Sequence, residues 1–337
     1  MLIVNCVTSP RRIDRICWVI VLAFGYMSLW VILNYLRGTN MVEGDRVMGP
    51  VGGFFENPND LALNLASFLP LPLIYIKRPG PIVKRLLSAG IVVLMLTVVV
   101  LTKSRGGMLG TVAMLATFLL ASRSLSAPMM IALVVSGMLV MPAMPASFWA
   151  RMASITDAEK DPTGSRAERK ELLKQGWEVF LEYPITGVGA GQFQNLDIPG
   201  QPKRWRETHN ALLQVASELG FLGVLAFGFL IVRGFSAAAW TRRRLAWIRR
   251  KRTRKRPADA EEDGLDQRER EFLESHGAAM IACMVGWFVS ALFASVAYNW
   301  TFYYVLGLSV TARDIVRARS HAYMRAKALA GGKRVAA

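Results

Sequence analysis

Cysteine, histidine and charged residues are all scarce in this chain of 337 residues. Its three cysteines, Cys6, Cys17 and Cys283, have no paired spacing, so neither a disulfide framework nor a zinc site is indicated. Only 19% of the residues are charged, whereas 53% are hydrophobic. That is more apolar surface than a soluble core of this length normally buries, and it favours a membrane protein.

Eight stretches of roughly 17 to 25 residues carry almost no charge, which is the length needed to cross about 30 Å of hydrocarbon. They are too long and too continuous for the strands of a barrel, so each is predicted to be a helix. The sequence therefore predicts an all-α integral membrane protein. The stretches are about 16–36, 60–76, 86–102, 106–122, 127–148, 209–232, 277–296 and a shorter one at 298–312.

Most of the 41 lysines and arginines fall on one side of these helices if the amino terminus is cytoplasmic. The positive-inside rule then predicts that both termini are cytoplasmic. The basic run RRRLAWIRRKRTRKR lies in an inner loop. Membrane topology already accounts for this run, so anionic lipid is its expected partner and nucleic acid is not.

This topology divides the chain into four regions. A long outer loop is rarely idle and is long enough to carry a site. The regions are 1–148 with five helices and an outer glycine-rich loop at 37–59, the outer loop 149–208, 209–312 with three helices and a basic inner loop at 233–276, and the basic tail 313–337.

The long outer loop contains a predicted amphipathic helix, in the stretch SRAERKELLKQGWEVFLEYP. Leu172, Leu173 and Trp177 share a stripe with a period of 3.6 residues, so this helix is predicted to lie along the outer membrane interface. Arg166 and Arg169 continue the same stripe. Either their stems rest on lipid with the heads at phospholipid phosphates, or one of them meets a specific anion.

Other outer residues each allow two interpretations. Gly187 and Gly189 either form a tight connector or offer backbone N–H groups to a phosphate. Asn59 or Asp60 caps the helix that is predicted to begin at Leu61, and Asn59 lines a cavity as well or instead. Arg105 lies at the outer end of a predicted helix, where it either snorkels or marks a ligand pathway.

His209 opens the sixth predicted spanning helix. Asn210 and Glu218 lie on one polar stripe of that helix and are candidates for binding the substrate. Glu218 is expected to have a basic or donor partner, because a buried carboxylate is otherwise costly. His209 is either an ordinary interfacial histidine or a base, since its pKa lies near ambient pH.

Several arginines beside one histidine suit a particular reaction. Arginines stabilise the charge on a leaving diphosphate, and the histidine accepts a proton from an attacking hydroxyl. No cofactor is expected. Asp157, Glu159 and Asp161 could hold a divalent ion, but a solvated loop is favoured over a metal site. The candidate arginines are Arg105, Arg166 or Arg169, and Arg204 or Arg206.

Four motifs in order resemble those of the bacterial O-antigen ligase and polymerase-like glycosyltransferases. They are GGFFENPNDLA at 52–62, TKSRGGMLG at 102–110, an arginine at 169 upstream of YPITGVGAGQF, and THNALLQVASELGFLG at 208–223. The resemblance covers roughly residues 45–232. Members usually have more spanning helices than eight, so it implies a shortened member or a late start.

The resemblance implies a GT-C-like multi-helix enzyme of the bacterial inner membrane with a periplasmic active site and no metal. Its donor would be a glycan linked to undecaprenyl diphosphate, and its acceptor a hydroxyl of a glycan, of lipid A-core or of a protein. The family's essential arginines correspond to Arg105 and Arg169, and its base to His209. Non-catalytic binding or transport of the same glycolipid is the alternative.

Overall fold

The computed structural model of the protein describes residues 2–42, 46–50, 55–122, 149, 165–196, 207–254 and 263–335. Within these ranges the chain is almost entirely helical, with one small β-hairpin and one turn of 3-10 helix at Phe193–Asn195. The elements are α1 (Leu2–Cys6), α2 (Pro10–Leu36), β1 (Met41–Val42), β2 (Arg46–Val47), α3 (Pro58–Phe68), α4 (Pro70–Lys77), α5 (Ile82–Leu101), α6 (Arg105–Ser122), α7 (Ser165–Glu182), α8 (Ala211–Arg254), α9 (Gln267–Ala291) and α10 (Trp300–Val335).

Six helices within the described residues are long and apolar enough to cross a membrane. They confirm an all-α integral membrane protein, and six of the eight predicted segments correspond to them. The spans are Pro10–Leu36, Pro58–Ile76, Ile82–Leu101, Arg105–Ser122, Ala211–Lys251 and Gln267–Ala291.

The bounds of one of these six segments differ from the prediction, and the fifth and eighth predicted segments are not among the spans. The fifth, 127–148, lies outside the described residues. The seventh ends at Ala291 rather than near residue 296, because the chain leaves the helix there. The eighth, 298–312, is the first part of the 36-residue α10, which is not among the six spans because its later part is polar and charged.

The second of these spans, Pro58–Ile76, is not interrupted at its prolines. Pro70 is the first residue of α4, where its missing N–H is tolerated, and Leu69 between α3 and α4 has right-handed helical angles. The chain therefore crosses once through both helices.

Helix α9 lies at the centre of the bundle, because it contacts α3, α4, α6, α8 and α10. The Trp287 ring stacks on Phe302 of α10 with centroids 4.0 Å apart. On a neighbouring face of α9, α6 approaches so closely that a Cβ on Gly110 would collide with Ser290 Oγ. Small residues thus let the helix backbones approach where no room for side chains remains.

The bundle has two chemically different ends. One, the cavity end, joins β2, the start of α3, the α5–α6 turn, the start of α8 and the end of α9. At the other, the basic end, Arg78 pairs with Asp14 at 3.0 Å and lies over the Phe272 ring at 4.9 Å. The outer segments of the predicted topology that the structure describes therefore meet at the cavity end.

Candidate active site

A cavity of about 440 Å³ opens at the cavity end, between α3, the α5–α6 turn, α7 and the end of α9. Five of its lining residues are cationic, and no carboxylate from the described part of the chain lines it. An anion is the ligand that such a wall favours. The polar lining consists of Arg46, Asn59, Lys103, Ser104, Arg105, Arg169, Lys170 and Ser290.

Asn59 lies at the centre of a hydrogen-bond network on this wall. Its Oδ1 accepts from Arg46 Nη2 and from Ser104 Oγ, both at 2.9 Å, and Arg46 Nε donates to Thr102 O at 2.8 Å. The interpretation of Asn59 as a helix cap is wrong. Asn57 caps α3, and its Oδ1 accepts from the Asn59 backbone N–H at 2.9 Å. The Asn59 side chain instead holds a buried guanidinium at the cavity.

The turn between α5 and α6 places two further cations on the same wall. Lys103 lies just after α5 in the left-handed region, with φ 51°, a position that glycine usually takes. Ser104 Oγ accepts from the Gly107 N–H at 3.2 Å and so caps α6, whose first residue is Arg105. A Cβ on Gly107 would collide with Ala62, so α6 begins firmly packed against α3.

Helix α7 supplies the opposite wall and confirms the helix predicted in the long loop. Its predicted apolar stripe divides into two faces. One face packs on α8, where Leu172 is buried and a Cβ on Gly176 would lie 2.9 Å from Leu213 Cδ2. Arg169 lies at the cavity on this helix. The other face exposes large apolar side chains: Leu173, Trp177 and Leu181.

His209 is partly buried and lies close enough to Arg169 for the two side chains to interact electrostatically. Its backbone, with φ 49°, is held by Ser295 Oγ, which accepts from the His209 N–H at 2.9 Å. Burial lowers the pKa of the His209 imidazole, and the positive charge of Arg169 lowers it further, while Glu207 and Glu168 oppose this shift. Because the net direction is downward, the imidazole is neutral at pH 7 and free to accept a proton.

Asn210 is the amino-terminal cap of α8. Its Oδ1 accepts from the N–H groups of Leu212 and Leu213, both at 3.0 Å, and its Nδ2 donates to Leu292 O at 3.2 Å. These bonds give the side chain a structural role between α8 and the end of α9. Its predicted contact with substrate stays a prediction.

Glu218 has the donor partners that a buried carboxylate requires. Its Oε2 accepts from the Gly191 N–H at 2.9 Å, and its carboxylate also accepts from the Tyr298 hydroxyl. Both donors come from irregular segments rather than from a neighbouring helix. Glu218 thereby joins the glycine-rich segment to the chain between α9 and α10.

Helix α8 is broken at Gly220, where φ is 62° and ψ is −163°. Such a break leaves backbone N–H and C=O groups without partners inside the helix. Residues 184–191 satisfy them by hydrogen bonding to residues 217–222, and we call this pairing the glycine clasp. Its shorter bonds are Val188 N to Ser217 O at 3.1 Å, Gly189 N to Glu218 O at 2.8 Å and Phe221 N to Pro184 O at 2.7 Å.

The glycine clasp accounts for Gly187 and Gly189. The Gly187 N–H donates to Tyr183 O at 3.0 Å, and the Gly189 N–H is taken by Glu218 O, so both groups already have acceptors within the protein. A Cβ on Gly187 would collide with the Glu218 backbone. The connector interpretation explains this geometry without an anion.

The structure thus brings Asn59, Arg105 and Arg169 to one cavity, with His209 beside Arg169. Arg166 lies one helical turn from Arg169 on α7, and its side chain is outside the described residues. The predicted residues that lie outside the described ranges altogether are Arg204 and Arg206, together with the acidic Asp157, Glu159 and Asp161.

Comparison with known families addresses the same part of the chain. Residues 90–228 match the family model described as O-Antigen ligase. Over this segment the chain is similar to the O-antigen ligase family. The match confirms the resemblance carried by the motifs at 102–110 and 208–223. No curated protein matches the chain.

Arg46 and Lys103 are two of the cavity cations that the sequence-based prediction of the site does not include. Arg46 precedes the matched segment and reaches the cavity from the β-hairpin, which has no hydrophobic period to reveal it. Lys103 lies two residues before Arg105 in the TKSRGG motif. Its signal was a lysine at the end of an apolar helix, where positive-inside bias disfavours a cation.

Proposed function

We propose that this protein, like the O-antigen ligase family that it resembles, transfers a glycan from a polyprenyl diphosphate carrier to a hydroxyl acceptor at its cavity end. The carrier lipid we propose is undecaprenyl diphosphate, and the face is the periplasmic one. The observation that supports this most directly is a cavity beside a partly buried histidine on which four cations converge: Arg46, Lys103, Arg105 and Arg169.

The cations would bind the diphosphate of the donor. Guanidinium groups donate paired hydrogen bonds to phosphate oxygens. No carboxylate among the described residues lines the cavity to repel the negative diphosphate. Negative charge grows on the diphosphate as the bond to the sugar breaks. Preorganised cations stabilise that charge more in the transition state than in the ground state, which is how they would accelerate the transfer.

His209 would act as the base. The acceptor hydroxyl oxygen forms a bond to the anomeric carbon, the bond from that carbon to the diphosphate oxygen breaks, and the hydroxyl proton goes to the His209 imidazole. A single displacement of this kind inverts the anomeric configuration. The imidazole is ready for the proton because burial and Arg169 keep it neutral.

Three acceptors fit this chemistry: a second glycan unit, as in a polymerase, lipid A-core, as in a ligase, and a protein hydroxyl. All three present an alcohol to the same base. Lys170 and Leu173 of α7 lie at the cavity and are candidates for contact with the acceptor.

The test uses purified protein in lipid vesicles with an undecaprenyl-diphosphate-linked glycan and an acceptor. We expect free undecaprenyl diphosphate and glycosylated acceptor to appear together. His209→Ala should lower the rate by roughly 10²–10⁴-fold, and Arg105→Ala or Arg169→Ala by roughly 10²–10³-fold. Lys174→Ala is the control, because Lys174 is an exposed cation on α7 that pairs with Glu178.

Two outcomes would contradict the proposed mechanism. Full activity of the His209→Ala protein would exclude His209 as the base. Donor binding without any release of undecaprenyl diphosphate by the unaltered protein would favour the alternative, a non-catalytic glycolipid-binding or transport protein.

A further inference from the structure

A second cleft lies near the basic end of the bundle, away from the candidate active site. It is formed mainly by α8, with Ile281 of α9 on its floor. Apolar side chains occupy one part and three consecutive arginines the other. Its lining includes Phe235, Ala239, Trp240, Arg242, Arg243, Arg244 and Trp247.

The cleft is level with the edge of the apolar region. On α9 the charged stretch QREREFLESH ends at His276, and apolar residues begin at Gly277. A Cβ on Gly277 would lie 3.2 Å from Arg242 Cβ, so the start of the apolar stretch is at the same height as Arg242. Ile281 lies one turn deeper. The cleft therefore spans the boundary between hydrocarbon and headgroups.

Aromatic rings organise the cations around the cleft. The Arg244 guanidinium lies over the Trp247 ring at 4.9 Å, and Lys251 approaches the same ring at 4.9 Å. Trp240 receives the Arg317 guanidinium at 4.8 Å. Tryptophans with an apolar body and a polar edge are typical of the membrane interface.

We propose that this cleft binds the headgroup of an anionic glycerophospholipid. The phosphate would meet Arg242, Arg243 and Arg244, and the glycerol end of the acyl chains would lie against Phe235 and Ile281. The apolar floor distinguishes such a ligand from free phosphate, which would need only the cations. This site is independent of the proposed glycan transfer.

The test compares the purified protein in nanodiscs of phosphatidylcholine with and without phosphatidylglycerol, and measures retained phosphatidylglycerol by native mass spectrometry. The combined variant Arg242→Gln, Arg243→Gln, Arg244→Gln should lose phosphatidylglycerol retention by roughly a hundredfold. The matched control, Arg319→Gln, Arg325→Gln, Lys327→Gln, removes the same charge from exposed residues of α10 near the same end and should change it less than about threefold.

A second variant, Arg243→Gln with Arg244→Gln, keeps the Arg242 side chain that packs near Gly277 and guards against a folding defect. Equal melting in pure phosphatidylcholine shows that each variant is folded. Equal losses in the cleft variant and the control would overturn the proposal in favour of general surface charge. Equal retention of phosphatidylcholine, or displacement of phosphatidylglycerol by millimolar inorganic phosphate, would also overturn it.

Discussion

At the scale of single residues, the charge state of His209 depends on its neighbours. Burial and Arg169 lower its pKa, and Glu168 raises it. Glu168→Gln should therefore lower the pKa further, so that the neutral base persists to more acidic pH and the acid limb of kcat/KM moves downward. A pH–rate profile measures this. Glu178→Gln, on the same helix, is the control and should leave the limb unchanged.

Lys103 combines a cation at the cavity with a backbone conformation suited to glycine. Lys103→Gly should raise KM for the lipid-linked donor roughly tenfold by removing a charged contact, while relieving left-handed strain of about 1 kcal/mol. Lys103→Ala should raise KM equally without that relief. Thermal unfolding and donor titration separate the two effects. A Lys103→Gly protein with unchanged KM would remove Lys103 from the donor site.

His276 is a buried residue of α9 whose two ring nitrogens have no hydrogen-bond partner within the described residues. Burying polar atoms without partners is unfavourable, so His276→Leu should stabilise the protein by about 1–3 kcal/mol. His321→Leu, at an exposed position, should change the unfolding temperature little. A destabilised His276→Leu protein would indicate that the imidazole has a polar role.

At the scale of elements, the glycine clasp depends on close backbone approach. A Cβ on Gly220 would collide with the Ile185 backbone, and φ at Gly220 is positive. Gly220→Ala should therefore destabilise the protein by about 2–4 kcal/mol in thermal unfolding. Gly228→Ala is the matched control on the same helix, because nothing lies within 4 Å of the added Cβ. It should be neutral or mildly stabilising.

The elements also show what a sequence can reveal. Apolar length predicted the spanning helices, because lipid forces the backbone to bond within each segment. The break at Gly220 was hidden, because the bonds that compensate it come from residues 184–189, far away in the chain. Asn57 rather than Asn59 caps α3, because Pro58 starts the helix earlier than the apolar run begins.

The residues of the candidate site, like the helices, could be predicted from the sequence only in part. Residue type and membrane side indicate Arg105 and either Arg166 or Arg169, and the family resemblance selects Arg169. The structure brings Arg105 and Arg169 to one cavity. Arg46 was not identified, since its role depends on contacts with Asn59 and Thr102 that arise only when the hairpin folds onto α3 and α5. The sequence pattern identifies residues on regular helices. Contacts between irregular segments that are distant in the chain can be identified only from the folded structure.

At the scale of the whole molecule, the cavity and the second cleft, which is lined by Arg242, Arg243 and Arg244, lie toward opposite ends of the same bundle. The basic end contains the charged parts of α8, α9 and α10, and the cavity end has a more balanced mixture of charges. This asymmetry is what positive-inside insertion produces. It also agrees with the proposed chemistry, because the donor would be bound at one surface while anionic lipid headgroups would be held at the other.

Orientation gives the last prediction. Two single-cysteine variants, in which the native cysteines are replaced by serine, report on the two ends. Glu182→Cys introduces a thiol at the exposed end of α7, near the cavity end. Arg319→Cys introduces a thiol on the exposed part of α10, beyond the opposite end. In spheroplasts whose inner membrane is intact, a membrane-impermeant maleimide should label the Glu182→Cys protein and not the Arg319→Cys protein. The reason is that the positive-inside rule places the cavity end outside. Permeabilised cells should label both. Labelling of the Arg319→Cys protein alone in intact cells would reverse the proposed topology and place the cationic cavity in the cytoplasm.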